Sequence, residues 1–382
     1  MHVVLLTNIL SPYRVPLFNA LAQRLEGGLS VICAARSEPL RLWKQEPEHV
    51  LFRWHVLPGL HWEWALREWH VHLNWGLGWW LRRLRPEVLV LGGYDQPLYW
   101  HGLFYARRRR IPTVLLYESW EGSAHWRRGV GFALKRAFVR RTTVGVAFGS
   151  RAAEWLRRIH GGEFPVVRSL NTVDMEFFQQ RAQQFRQSPH YAERRAQYPP
   201  LLLLMVGSLI PRKNARVLLE ALARLSDPDI GLVLVGAGPQ EEELRQLCWR
   251  LGLHDRVAFE GFRQQEELPQ YYALADVLVV PSLEEVWGLV VNEALATGLY
   301  VLCSTAVGAA YDLIRPGWNG ELFPPTDADA LADLLRALKR RLPELQNRRD
   351  AISAHACHEY TIERAAEALW EGIVQAYQRA AR

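Results

Sequence analysis

The sequence predicts an α/β protein of two Rossmann-like, doubly wound parallel sheets, one in each half of the chain. Its 382 residues exceed what one hydrophobic core comfortably organises and suit two domains. Short apolar runs bounded by turn residues alternate with helical patterns in two separate series. Runs that are continuous, rather than alternating in polarity, mark parallel strands covered on both faces. Between the two series lies a polar stretch, rich in Gln and Arg and closed by Pro199 and Pro200, with the composition of a hinge.

In the first series, residues 3–7, 29–34, 88–92, 113–117, 144–148 and 166–169 read as buried strands. Residues 15–25 and 76–85 carry helical periodicity between them. The second series places strands at 201–206, 231–235, 257–260, 277–280 and 300–303. Helices are expected at 215–225, 240–251 and 290–296, and a last one at 362–380. Strand–helix repetition of this kind builds open sheets whose ligands bind beyond the strands' C-terminal ends. The expected domains are 1–174 and 201–360, joined by a hinge at 175–200. The final segment, 361–382, is expected to return to the first domain.

Composition narrows the class. Hydrophobic residues are 49% and charged residues 23% of the chain, as in soluble globular proteins. Cys33, Cys248, Cys303 and Cys357 form no Cys-x-x-Cys pair and stand near no histidine at zinc spacing. That argues for reduced thiols, and against a disulfide scaffold or a structural metal. The opening segment lacks a basic leader, and Pro12 and Pro16 interrupt it, so a strand and loop are expected there rather than a signal peptide. No uncharged apolar run reaches about 20 residues, the length that crosses a bilayer. A cytoplasmic location is the expectation.

Charge is uneven. Residues 1–198 hold 28 Lys+Arg against 15 Asp+Glu, and the remainder 18 against 25. Twelve of the sixteen tryptophans precede residue 156. Stretches around Trp62 and Trp79 are aromatic-rich, and Arg107 to Arg110, Arg127 and Arg128 supply charge in the same half. Basic residues beside Trp suit an anionic leaflet's headgroups better than a base-reading surface, although a solvated helix end and core tryptophans would give the same pattern. No nucleic-acid-binding motif accompanies the charge.

The chemistry concentrates in residues 281–298. A strand ends at Pro281, a loop carries Glu284 and Glu285, Gly288 permits a tight turn, and a helix follows with Glu293 inside it. Backbone N–H groups at such a helix start favour an anion such as a diphosphate. Ionised carboxylates accept strongly from vicinal hydroxyls. By themselves the two glutamates read equally as a loop residue and a helix-surface residue. Gly236 and Gly238 follow an apolar strand as in a dinucleotide fingerprint, but Glu241 stands at the third glycine. A nicotinamide cofactor is therefore not expected.

This stretch resembles the donor-site signature of family 4 retaining glycosyltransferases of the GT-B fold, whose Glu-x7-Glu pattern falls on Glu285 and Glu293. The resemblance runs through most of the chain. Met205-Val-Gly-Ser-Leu-Ile-Pro-Arg-Lys-Asn214 is similar to the family's Val-Gly-Arg-Leu…Lys-Gly segment. Leu232-Val-Leu-Val-Gly-Ala-Gly-Pro239 and Val257-Ala-Phe-Glu-Gly261 fit its next two strands. Asn171-Thr-Val-Asp174 is similar to its Asn-Gly-Val-Asp hinge, and Asn319-Gly-Glu-Leu-Phe-Pro324 to the loop after its last conserved strand. The resemblance implies two domains facing each other across a cleft. It places Gly207, Ser208, Lys213, Gly288, Leu289 and Glu293 at the donor, with Glu285 orienting the transferred sugar and Glu293 the ribose. Ser208 departs from the family's Arg, and Arg212 is the neighbouring cation able to replace it.

In the first half, Ser11-Pro-Tyr-Arg14 resembles a loop of bacterial polysaccharide-assembly members. Tyr13 would face the acceptor, and Arg14 the donor phosphates or the acceptor; a helix cap with an exposed arginine is the alternative. Tyr94 and Asp95, and Glu118 and Ser119, follow two further strands. The family's histidine near the second loop is missing. Glu118 is expected to position or polarise the acceptor hydroxyl, or else to be structural.

The implied activity is transfer of a sugar from a nucleotide-sugar to a glycan or lipid-linked acceptor, with retention, in cell-surface polysaccharide or glycolipid assembly. The enzyme would sit in the cytoplasm, peripheral to the membrane's inner face. No cofactor beyond the nucleotide-sugar is implied, and no divalent metal, on the expectation that Asp-x-Asp is absent. A nucleotide-sugar epimerase and a degenerate sugar-nucleotide-binding protein are the alternatives.

Overall fold

The computed structural model describes residues 1–26, 28–38, 49–64 and 69–381. They form two compact units, Met1–Asn171 with Ile362–Arg382, and Thr172–Thr361.

The strands of the first unit are β1 Val3–Thr7, β2 Leu29–Cys33, β3 Arg53–Val56, β4 Gly59–Trp64, β5 Trp69–Asn74, β6 Val88–Leu91, β7 Thr113–Tyr117, β8 Val144–Phe148 and β9 Val166–Ser169. Seven of them make one parallel sheet in the order β3-β2-β1-β6-β7-β8-β9. Val3 of β1 pairs with Leu29 on one side and Val88 on the other. Val3 to Leu6, and all of β6, are without solvent exposure, which is why these runs carry no polar alternation. The strand order reverses at β1, so the loops after β1 and β6 flank a topological switch point, where such sheets bind ligands.

The hairpin β4–β5 stands apart as a two-stranded antiparallel sheet. Its residues alternate, with Leu60 opposite Leu73 on one face and His61 opposite His72 on the other. Leu60, Trp62 and Leu73 are exposed, whereas His72 is buried. The His72 N–H donates to Gln96 Oε1 at 3.0 Å, and the Gln96 amide to the His70 carbonyl at 2.8 Å.

The second unit holds β10 Leu201–Val206, β11 Ile230–Val235, β12 Val257–Gly261, β13 Val277–Val280, β14 Tyr300–Ser304 and β15 Gly320–Phe323. They lie in the order β12-β11-β10-β13-β14-β15, all parallel. The order reverses at β10, between β11 and β13. Residues 175–200 are the segment expected as a hinge. They contain helices Met175–Arg186 and Pro189–Arg195, within the second unit. Asp174 caps the first, accepting from the Phe177 N–H at 2.9 Å. Met175, Phe178 and Ala182 are its buried stripe, and the Gln and Arg residues that lower its apolar content form its outer side.

Helix Ile362–Ala381 packs on the first unit's sheet, its Ala365, Ala366, Leu369, Ile373 and Ala376 sharing a core with Val114, Val144 and Val146. The Ser169 hydroxyl donates to the Ala365 carbonyl at 3.4 Å. Gly372 permits this approach, since a Cβ there would lie 2.4 Å from Val146 Cγ2.

Candidate functional site

Donor-side residues from distant parts of the sequence converge at the switch point of the second unit. β10 ends at Val206, and Gly207 turns the chain at φ 147°. Gly236, after β11, has φ 149°, and a Cβ on it would lie 1.9 Å from the Gly207 carbonyl oxygen. Gly236 must therefore stay bare for the Gly207 turn to lie against it. A single 3-10 turn, Pro211–Lys213, follows and leads to Asn214 at φ 56°. The Asn214 amide donates to the carbonyls of Pro281 and Pro325, at 3.2 and 2.7 Å. It ties the loop after β10 to the loop after β13.

Those ties set the charged group. The Leu283 N–H donates to the Arg212 carbonyl at 2.8 Å, and Arg212 Nη1 to the Glu284 carbonyl at 3.1 Å. Glu285 is fixed by backbone bonds to Ala306 and Gly308 at 3.0 and 3.1 Å. Its carboxylate makes a close ion pair with Lys213 Nζ and stands 3.6 Å from Arg212 Nη1. The side chains are 13% exposed for Glu285, 19% for Lys213 and 33% for Arg212. Two cations thus share one carboxylate within reach of solvent. Ser208 is exposed and contributes none. Gly288, at φ 99°, begins helix Leu289–Ala296, whose N-terminal end adds a positive dipole nearby.

Glu293 differs. It is 1% exposed, and its Oε2 accepts from the buried Tyr272 hydroxyl at 2.6 Å. Apart from Asn292 its helix neighbours are apolar, and residues 291–296 are all buried, so the carboxylate is enclosed instead of lying on a helix surface. The ribose role rests on the resemblance alone. Burial also holds the Cys303 thiol well above its ordinary pKa, with the Glu285 charge adding to the effect.

In the first unit, Arg14 and Glu118 form a close ion pair between the ends of β1 and β7. Arg14 Cζ lies 4.7 Å over the Phe148 ring at the end of β8. Arg14 Nη1 is buried without a hydrogen-bond partner among the described residues, and burial lowers the guanidinium to about 10, which leaves it charged at neutral pH. The alternative of a simple exposed arginine is thereby excluded. Tyr13 and Ser119 flank the pair in sequence and are half-buried. Tyr94 stacks on Tyr117 at 6.0 Å between centroids, and Asp95 beside it is exposed.

Sequence reasoning missed Lys135. This lysine of helix Gly129–Val139 is 1% exposed, with Nζ 5.0 Å from the Tyr94 ring centre and 3.4 Å from the Trp126 carbonyl. Burial lowers its ammonium to about 8. The available signal was its place three residues before the buried Phe138, on the helix's inner stripe.

The expected absence of Asp-x-Asp is corrected by the chain itself, which contains Asp227-Pro-Asp229 and Asp327-Ala-Asp329. The structure gives both other tasks. Asp227 and Asp229 pair with Lys339 at 2.7 and 2.9 Å, and Asp327 caps helix Ala328–Arg340.

Residues 191–355 match the family model for glycosyl transferases group 1. The sulfoquinovosyl transferase SQD2 of Arabidopsis thaliana is 32% identical over 273 residues, 66% of this chain and 48% of that protein. A D-inositol 3-phosphate glycosyltransferase of Thermomonospora curvata is 36% identical over 197 residues, 48% of this chain and 44% of that protein. The matched region spans at most about half the length of such curated relatives. Among solved structures, Anabaena Alr3699/HepE in complex with UDP superposes with a TM-score of 0.77 at 19% identity, covering 97% of this chain and 99% of that one. WaaG, a glycosyltransferase involved in lipopolysaccharide biosynthesis, gives 0.67 at 18% identity, covering 97% and 99%. Likeness at that identity speaks to fold, and the fold is GT-B. The resemblance to family 4 glycosyltransferases is borne out.

Proposed function

We propose, from the premise that residues 191–355 form a group 1 glycosyl transferase domain, that the whole chain transfers a sugar from a nucleotide-sugar to a glycan or lipid-linked acceptor. The observation that carries this reading is the Lys213–Glu285–Arg212 group at the ends of β10 and β13. A leaving diphosphate gains charge as the bond from sugar C1 to phosphate oxygen breaks, and the electron pair stays on that oxygen. Two cations and a helix N-terminus are suited to meet it. Lys213 and Arg212 would bind the diphosphate, and Glu285 a sugar hydroxyl. Gly207, Ser208, Gly288 and Leu289 would offer backbone to the donor. Glu293, buried against Tyr272, would position the helix that carries those N–H groups.

On the acceptor side, Glu118 would take a hydrogen bond from the incoming hydroxyl while Arg14 pairs with that carboxylate. Tyr13 and Ser119, beside the pair in sequence, and Tyr94 and Asp95, in the loop after β6, would complete the acceptor side. Retention would follow if the hydroxyl attacks on the face the diphosphate leaves, its proton passing to a donor phosphate oxygen. Charge neutralisation by Lys213 and Arg212 favours a reaction without a divalent metal. HepE, of the same fold, is bound to UDP and to UDP-glucose, which makes uridine nucleotides the first to try.

No helix among the described residues is long and apolar enough to cross a membrane. Trp62, Trp75, Trp79 and Phe104 are exposed, and Arg83 and Arg108 lie over the Trp79 and Phe104 rings at 5.4 and 5.1 Å. This surface supports peripheral docking on an anionic leaflet, where a lipid-linked acceptor would be met.

The test is calorimetric titration with nucleoside diphosphates, followed by incubation with the matching nucleotide-sugar and EDTA. Binding of one diphosphate, and an axial or equatorial product linkage that matches the donor's, is expected. A folded protein that binds none of them sinks the reading.

A further inference from the structure

The opposite edge of the first unit's sheet carries a second collection of positive charge. Arg107 lies in the last turn of helix Pro97–Arg109, and Arg110 caps that helix at φ 55°. Arg141 follows helix Gly129–Val139, and Arg379 lies in the last turn of helix Ile362–Ala381. All four line one hollow of about 310 Å³, together with Thr113 and Thr143. Thr113 opens β7 and Val144 opens β8, so the hollow sits where these strands begin. Glu118 follows the far end of β7, five residues of strand away, or roughly 15 Å at the rise of a parallel strand.

The ordinary explanation for arginines here is capping. Helices of such a fold run against the strands, so their carbonyl-bearing ends gather at this edge and attract cations. It accounts for Arg141, whose Nη1 donates to the Ala137 carbonyl at 2.7 Å. It does not account for Arg107, Arg110 and Arg379, whose guanidinium groups make no hydrogen bond or ion pair among the described residues. Among the described residues, no carboxylate lines the hollow. The two threonines are engaged with the floor, each hydroxyl accepting from the other's backbone N–H at 3.0 and 3.2 Å. Four like charges converge on one space with no counter-charge among its described lining residues, and they repel one another until an anion enters.

We propose that this hollow is a second anion site, which binds a phosphate-bearing group through Arg107, Arg110, Arg141 and Arg379. Guanidinium forks match phosphate oxygens two at a time, and the volume admits a di- or triphosphate or a phospholipid headgroup. The site lies on the other edge of the sheet from Arg14 and Glu118, and in a different unit from Lys213. The proposed ligand is held at the start of β7, away from the end of that strand where Glu118 lies.

The experiment uses the full chain with Arg212→Ala and Lys213→Ala, which weaken the donor site, and adds Arg110→Ala and Arg379→Ala to that background. Both added positions are exposed, and matching circular dichroism checks the fold. Titration with inorganic triphosphate is expected to show one binding event in the first protein. That event should weaken roughly tenfold for each guanidinium removed. Substituting Arg110→Lys and Arg379→Lys should fall between the two, because charge is kept and the fork is lost. Sedimentation with vesicles of phosphatidic acid in phosphatidylcholine forms the second arm. Triphosphate binding that depends on the arginines identifies a soluble ligand, and vesicle binding with the same dependence identifies a headgroup. Binding that is equal with and without Arg110 and Arg379, or no binding in either arm, overturns the proposal.

Discussion

Lys213 touches Glu285 through the contact that a phosphate oxygen would take over. Its removal would leave the donor facing Arg212 alone, and Ser208 supplies no charge. Lys213→Ala is expected to lower kcat by about 10²–10³, the range for loss of one preorganised charge-stabilising group. Its melting temperature should fall only modestly, since Arg212 stays 3.6 Å from the half-buried Glu285 carboxylate and still pairs with it. Steady-state kinetics beside a melting curve checks both halves; a large fall in melting temperature with unchanged kcat would contradict the assignment.

Lys135 gives a pH signature of its own. Its folded pKa of about 8 lies below the ordinary 10.5, so between those values the unfolded chain binds more protons than the folded one. Stability from this group therefore rises as pH climbs from 8 towards 10.5. Below pH 8 both states are charged, and the buried ammonium destabilises the fold by roughly 3 kcal/mol. Lys135→Met should be more stable than the parent at pH 7, and the gap should narrow by pH 10. Urea unfolding at the two pH values measures it; a gap that is constant with pH would show that the ammonium is not desolvated.

At the scale of elements, the continuous apolar strands were legible because burial on both faces removes any polar alternation. Helix Met175–Arg186 was not, because its buried stripe has only three residues among many Gln and Arg. The hairpin β4–β5 was hidden differently. Leu60-His-Trp and Val71-His-Leu do alternate, but tryptophan on one face and histidine on the other read as an aromatic cluster. For the site, Glu285, Lys213 and Arg212 were legible as a motif. The pairing of Arg14 with Glu118 was not, since no local pattern links the ends of two strands 104 residues apart in the chain. The burial of Glu293 had a signal in its largely apolar helix. Gly372 provides the test at this scale. Gly372→Val would press its side chain into Val146, and overpacking of that kind costs about 1–3 kcal/mol. The same substitution at Gly317, where an added Cβ meets nothing within 4 Å, removes the clash and leaves only the effect of φ 77°. Chemical denaturation of both variants is expected to show first-unit destabilisation only for Gly372→Val.

For the molecule as a whole, the first unit is assembled from both ends of the chain and the second from the middle alone. Removing residues 362–382 strips Leu369, Ile373 and their neighbours from Val114, Val144 and Val146. The shortened chain is expected to lose the first unit's cooperative unfolding and to keep the second's. A nucleoside diphosphate should still shift the transition that remains, because Arg212, Lys213 and Glu285 all lie in the second unit. Fluorescence should report the loss strongly, since twelve of the sixteen tryptophans precede residue 156. A truncated protein with both transitions intact would contradict the packing described for the last helix.

The same closing helix imposes an order on biosynthesis. The ribosome releases the first 171 residues long before it makes Ile362, so the first sheet waits with one apolar face uncovered while the entire second unit emerges and becomes able to fold. The two halves are thus completed in the reverse of the order in which they are translated. During that interval the nascent chain exposes Val114, Val144 and Val146 to solvent, which makes it a natural client for chaperones that hold hydrophobic surfaces until the terminal segment arrives.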